Sequence, residues 1–278
     1  MLYVFLAVSL IASVSLTYVS CQFASYSAIW QIPVFFIGSF LALVLLFLLV
    51  ILVSCLFVDP KKQLDKPSGY FRFLLHEFCR LALAMGGVHV NVTGLDRLPK
   101  EGRFLLVSNH RFAFDPLVFY ALMPQAELAF LSKKENFSIF IVAQIMRKVL
   151  CLSVDRDNDR ESLKSILKAI QFIKDNKASI AAFPEGKTNR TEDALLPFRN
   201  GVFKIAQKAN VPIVVCSLVN SRAILKNMFR KHTEVWLDVL RVVPAEELAG
   251  KTTIEIGEHV HAIMEDGVIR RETAQGLR

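Results

Sequence analysis

The sequence predicts an α/β protein: a mixed, largely parallel sheet flanked by helices, with an N-terminal membrane helical hairpin. Three observations carry that expectation. Residues 1–58 contain no Asp, Glu, Lys, Arg or His. Beyond them, short apolar runs alternate with segments of helical periodicity. One alternation, strand–helix–strand over residues 149–183, favours a parallel crossover.

The charge boundary sets the division. The chain has 278 residues, is 53% hydrophobic and carries a formal net charge of +8. Its mean hydropathy is +0.41 and its pI about 9.3. All of the charge lies past Val58, so residues 1–58 read as a membrane anchor and 59–278 as one globular domain.

Within the anchor, residues 2–19 are apolar with scattered Ser and Thr, and 32–58 are more strongly so. As a helix, the second run crosses a hydrocarbon core of about 30 Å with length to spare. The first run competes with a secretory leader, but it has no basic flank and no persuasive cleavage site near Ser20. A retained hairpin turning near residues 25–33 is therefore expected. Lys61, Lys62 and Lys66 follow it, which puts the globular domain on the cytoplasmic side of the cell membrane. A basic protein there would favour an anionic leaflet. Of the five cysteines, Cys21 and Cys55 fall in the anchor, and Cys79, Cys151 and Cys216 are scattered. None has metal-ligand spacing, and they read as reduced, buried residues.

In the globular part, Phe71, Leu74, Leu75, Phe78, Leu81, Ala82 and Met85 recur at helical spacing, and Gly86-Gly87 ends that helix. Val88, Val90 and Val92 alternate as a strand, and residues 94–99 form a turn. Residues 104–107 make a further strand, and Asp115-Pro116 starts a helix. Strands follow at 126–131 and 149–154. Residues 157–159 offer caps for a helix carrying Leu163, Ile166, Leu167, Ile170 and Ile173. Residues 178–183 return as a strand, 198–209 as a helix and 211–218 as a strand. Val235, Leu237 and Val239 mark a late strand, and Thr252 or Thr253 caps a final helix. His259 and His261 stand two apart in that helix, wrong for one face, so no metal site is expected.

Two strand ends carry the chemistry. The first is Ser108-Asn109-His110-Arg111-Phe112-Ala113-Phe114-Asp115-Pro116. A loop histidine with a carboxylate five residues on has the parts of a general base, the carboxylate fixing the tautomer and supporting the imidazolium. Alone, the pair reads first as a surface loop whose Asp115 caps a helix. No Gly-x-Ser-x-Gly elbow surrounds Ser108, which sets a serine hydrolase aside. The second end is Phe183-Pro184-Glu185-Gly186-Lys187-Thr188-Asn189-Arg190.

Together these stretches resemble the glycerolipid acyltransferase family. Asn109, His110 and Asp115 match its first motif, Asn-His, four residues, Asp. Phe183 to Gly186 match its Phe-Pro-Glu-Gly motif. Val154-Asp155-Arg156 resembles the arginine block between them, and Val211-Pro212-Ile213 the Pro-Ile element beyond. Four blocks in order over roughly residues 90–220 make the match specific. The chain departs from the family in two places. Phe140 and Ala143 stand where a proline and a glycine are common, and Lys187-Thr188-Asn189 replaces the usual Thr-Arg-Ser.

The resemblance implies O-acyl transfer from an acyl thioester to the free hydroxyl of a lysophospholipid, foremost 1-acylglycerol 3-phosphate. His110 would be the base and Asp115 its partner. Arg156, Glu185, Gly186, Lys187 and Arg190 would serve substrate binding, with Lys187 or Arg190 carrying the family's displaced phosphate-binding charge. The donor would be acyl-CoA or an acyl carrier protein, with no other cofactor and no metal. The partners would be acceptor, donor and membrane, with no nucleic acid. Other acceptors in view are glycerol 3-phosphate, another lysophospholipid or an acylated amino-lipid; a non-catalytic lipid-binding relative is the reading from a different class.

Overall fold

A computed structural model describes residues 1–21, 28–59, 66–155, 158–228 and 230–277. It divides into two compact units, Met1–Lys61 and Lys62–Arg278.

The first unit holds two helices, α1 (Leu2–Cys21) and α2 (Ala28–Leu56). Both contain stretches long and apolar enough to cross a membrane, Leu2–Ser20 and Trp30–Leu56. They pack through a polar seam. Ser9, Ser13 and Thr17 recur every four residues on one face of α1 and are buried. Thr17 Oγ1 donates to the Ser13 carbonyl at 2.8 Å, and Ser39 Oγ of α2 reaches the Ser9 carbonyl at 3.4 Å. Small hydroxyl residues let the backbones approach, and Ser13 and Thr17 satisfy their own donors within α1. Residues 28–33, expected in the turn, belong to α2. Pro33 is the sixth residue of α2, past the first turn, so its missing N–H forgoes one bond of the helical ladder; residues 22–27 lie outside the described ones.

The second unit is a seven-stranded sheet in the order β1-β7-β6-β2-β5-β3-β4. Its strands are β1 (Val88–Thr93), β2 (Leu105–Ser108), β3 (Leu128–Lys133), β4 (Leu152–Val154), β5 (Ser179–Ala182), β6 (Ile213–Val219) and β7 (Thr233–Val243). Every neighbouring pair is parallel except β6 and β7. The helices are α3 (Gly69–Met85), α4 (Asp115–Leu122), α5 (Phe140–Lys148), α6 (Asp159–Lys174), α7 (Lys204–Ala209), α8 (Ala223–Asn227) and α9 (Thr253–Ala274).

β2 is central, with Leu106 paired to Ala181 of β5 on one side and Val214 of β6 on the other. Leu105, Leu106 and Val107 are wholly buried, as a parallel strand covered on both faces must be. Leu105 and Val107 join Ile180, Ile213 and Val215 in a core closed by Phe172 and Ile173 of α6, Ile205 of α7, and Val260 and Met264 of α9. On the opposite side Phe119 of α4 packs on Phe130 of β3.

Caps fall where the local chemistry asks for them. Asn158 Oδ1 accepts from the N–H of Arg160 and of Glu161 at the start of α6. Thr252 and Glu255 form a reciprocal capping box at α9. Two expectations shift. The crossover strands β4 and β5 are parallel but not neighbours, because β3 lies between them. The helix expected over 198–209 opens as a 3-10 turn at Asn200–Phe203 before α7.

Candidate active site

Because β2, β4 and β5 run parallel, their chains leave the sheet at one end, where open α/β sheets hold ligands. At the end of β2 the main-chain ladder stops and a side chain continues it. Asn109 Oδ1 accepts the Leu218 N–H at 2.7 Å, and its Nδ2 donates to the Leu218 carbonyl at 2.9 Å. The carboxamide closes the strand, and the next residue turns out of the sheet.

That residue is His110. Its Nδ1 lies 3.0 Å from Asp115 Oδ2. The same oxygen accepts the N–H groups of Arg111 at 2.8 Å and Phe112 at 2.9 Å. Asp115 is buried at the first position of α4, and each partner of Oδ2 is a donor. The carboxylate is thus an acceptor, the proton sits on Nδ1, and the Nε2 lone pair is available as a base. The imidazole stacks on the Phe183 ring at 4.2 Å and 11°, and Phe183 stacks in turn on Phe130 at 5.6 Å. The plane of the base is therefore set by an aromatic pile as well as by Asp115.

The Phe-Pro-Glu-Gly loop is tied to the histidine through main chain. Glu185 is buried, and its two oxygens accept the His110 N–H at 2.6 Å and the Leu196 N–H at 2.9 Å. Burial raises its proton affinity, opposed by those two donors. The Glu185 carboxylate thus points inward and shapes two loops. Gly186 sits at φ +72, its N–H donating to the Phe183 carbonyl at 3.0 Å. A Cβ there would approach Arg199 Cδ to 2.8 Å, so a side chain is excluded twice over. Lys187 and Arg190 are exposed on the same loop. Arg156 lies outside the described residues; its neighbour Asp155 pairs with Lys134 at 2.8 Å.

Several residues join the site that sequence reasoning passed over. Thr188 Oγ1 lies 3.2 Å from His110 Nε2. Asn189 is buried, its N–H donating to the His110 carbonyl at 2.7 Å and its Oδ1 accepting from Thr191 N–H and Oγ1. Arg111 donates to the carbonyls of Thr191 and Asp193, and pairs with Glu272 of α9 at 3.1 Å. Arg222 donates to the carbonyls of Asn189 and Thr191. Burial, and then the Arg111 charge, lower the proton affinity of Arg222. Two guanidiniums thus clamp the loop carrying Thr188 through its carbonyl oxygens.

Chemically, the site offers a base; the hydroxyl beside its Nε2 is that of Thr188, and among the described residues neither Ser108 nor a cysteine is presented to it as a nucleophile. Ser108 is buried, its hydroxyl facing Asn109 Oδ1. Cys79, Cys151 and Cys216 are buried too, and burial pushes each thiol up, Cys79 to about 12.

Comparison with known proteins converges on one chemistry. The family model named Acyltransferase matches residues 89–219. The chain is 31% identical over 189 residues to a probable 1-acyl-sn-glycerol-3-phosphate acyltransferase of Mycoplasma pneumoniae, covering 65% of this chain and 69% of that protein. It is 26% identical over 202 residues to the 1-acyl-sn-glycerol-3-phosphate acyltransferase of Borreliella burgdorferi, covering 72% and 78%. It is 28% identical over 195 residues to that of Escherichia coli, covering 69% and 78%. The crystal structure of the 1-acyl-sn-glycerophosphate (LPA) acyltransferase PlsC from Thermotoga maritima superposes with TM-score 0.63 at 20% identity, over 80% of this chain and 87% of that one. That likeness establishes a common fold.

Proposed function

This chain belongs to the PlsC-like glycerolipid acyltransferase family, and from that premise we propose that it acylates the free hydroxyl of 1-acylglycerol 3-phosphate, giving phosphatidic acid. The names of its relatives support that acceptor. The observation that carries the mechanism is His110, with Nδ1 held by Asp115 at 3.0 Å and Nε2 directed to the loop of Thr188.

In this mechanism the acceptor hydroxyl gives its proton to Nε2 as its oxygen attacks the thioester carbonyl. Asp115 stabilises the imidazolium that forms. The tetrahedral intermediate collapses, the C–S bond breaks, and His110 returns the proton to the thiolate. The substrate alcohol is the nucleophile, so no acyl-enzyme forms. The phosphate is read by Arg156, with Lys187 and Arg190 adding charge from the exposed loop. Glu185 and Gly186 act by shaping that loop around the histidine. The donor is an acyl thioester, acyl-CoA or acyl carrier protein, with no further cofactor. In this reading the apolar helices anchor the enzyme in the cell membrane, and the positive charge of Lys61, Lys62 and Lys66 after them supports a domain on the cytoplasmic side.

Purified full-length protein in detergent, given acyl-CoA or acyl carrier protein, should form phosphatidic acid from 1-acylglycerol 3-phosphate. Product formed only from glycerol 3-phosphate or another lysophospholipid would replace this acceptor.

A further inference from the structure

We propose that Thr188 guards His110. Its hydroxyl donates to Nε2 until an acceptor hydroxyl takes that place, which keeps water from opening the acyl thioester. The proposal rests on the general-base reading above and adds a second task to the loop, the suppression of hydrolysis.

The geometry is specific. Nδ1–H is committed to Asp115, so across the 3.2 Å contact Nε2 is the acceptor and the threonine hydroxyl the donor. Main-chain bonds on either side of Thr188 hold its loop against the histidine. Asn189 N–H, one residue on, donates to the His110 carbonyl at 2.7 Å, and Gly186 N–H closes the preceding turn on Phe183. The Phe183 ring meanwhile stacks on the imidazole. Thr188 also stands where the resembling family has an arginine, so a short hydroxyl side chain here ends on the base itself.

A base that activates an alcohol also activates water. In hydrolysis the water oxygen bonds to the acyl carbon, the C–S bond breaks, and the proton passes through Nε2 to the thiolate, leaving free acid and thiol. A donor already on Nε2 withholds the lone pair from water. An acceptor held by its phosphate presents its hydroxyl at high effective concentration and displaces the threonine by rotation about χ1. One neutral hydrogen bond is exchanged for another, at little net cost.

The test measures thiol release from acyl-CoA by full-length protein, with and without 1-acylglycerol 3-phosphate, alongside melting curves. The variants are Thr188→Val, which keeps the shape and removes the donor, Thr188→Ala, and Thr188→Ser. Wild type should release thiol far faster with acceptor than without. Thr188→Val and Thr188→Ala should raise acceptor-independent release relative to transfer by about tenfold, the weight of one hydrogen bond of about 1.4 kcal/mol. Thr188→Ser should stay with wild type. A threonine that merely shapes the loop predicts an unchanged ratio in Thr188→Val, and that result overturns the proposal, as does an equal rise in Thr188→Ser. Should Val and Ala both fail to fold, wild type still decides: release without acceptor as fast as transfer rules the guard out. Phosphatidic acid formation by wild type is scored separately and tests the acceptor reading alone.

Discussion

Asn109 and Leu218, far apart in sequence, exchange two hydrogen bonds, the carboxamide of one standing in for main chain against the peptide of the other. Both partners are buried. Replacing Asn109 with Leu removes both bonds and strands a buried N–H and C=O of β6. Each stranded group costs about 1–3 kcal/mol, so the domain should lose roughly 2–6 kcal/mol, read as a lower denaturation midpoint. Asn109→Asp should also destabilise, because its carboxylate faces the Leu218 carbonyl. An unchanged midpoint in Asn109→Leu would show that the ladder does not need this closure.

For the base, His110→Ala should lower turnover by about 10²–10⁴-fold, the usual contribution of a positioned acid–base group. The fold should persist with a lowered melting temperature, because the His110 N–H and carbonyl contacts are main chain while the Asp115 bond and the Phe183 stack are lost. Asp115→Asn should be severely impaired as well, since a neutral carboxamide no longer supports the imidazolium. Near-normal turnover in well-folded His110→Ala would overturn the mechanism.

Glu185 gives a pH signature. Burial raises its proton affinity in the folded chain, so the folded state binds this proton more tightly than the unfolded one. Stability from this group then falls as pH rises from the ordinary carboxylate value, about 4.3, through the raised folded value. Relative to Glu185→Gln, wild type should gain stability as pH is lowered from neutral through that window. Melting temperatures of the two proteins across pH report it; a gap that does not change with pH would mean the proton affinity is not raised.

Arg156 is tested through the acceptor. A guanidinium grips phosphate with two hydrogen bonds, and lysine offers a point charge. Arg156→Ala should raise the acceptor KM by roughly ten- to over a hundredfold, from a contact of about 1.5–3 kcal/mol, and the donor KM far less. Arg156→Lys should recover part of the loss. An equal rise in both constants, with a lowered melting temperature, would assign this arginine to holding its own loop.

What could be read in the sequence was what the chain states locally. The periodicity of α3 is read along its own length, and the caps offered by residues 157–159 include Asn158, which caps its own helix. His110 and Asp115 are legible together because their partnership spans five residues. Thr188 was not, because its partner lies 78 residues away and only the fold brings them together. Asn109 looked like a motif letter, and its role depends on a strand 109 residues on. The place of β3 between β4 and β5 is likewise a tertiary choice, since all three strands are short, apolar and parallel. Pro33 misled for a different reason: a proline suggests a turn, but α2 carries this one with a single ladder bond forgone, and in an apolar run nothing else marks the boundary.

The Arg111 guanidinium waits for a carboxylate that the ribosome adds 161 residues later, at Glu272. At about 5–20 residues per second that interval is roughly ten to thirty seconds. By its last part the partners of the histidine loop up to Arg222 are made, yet Arg111 still has no anchor on α9. The hydrophobic start of the chain has long since emerged by then. The order of synthesis therefore delivers the greasy helices first and a fully braced catalyst last, when the final helix docks.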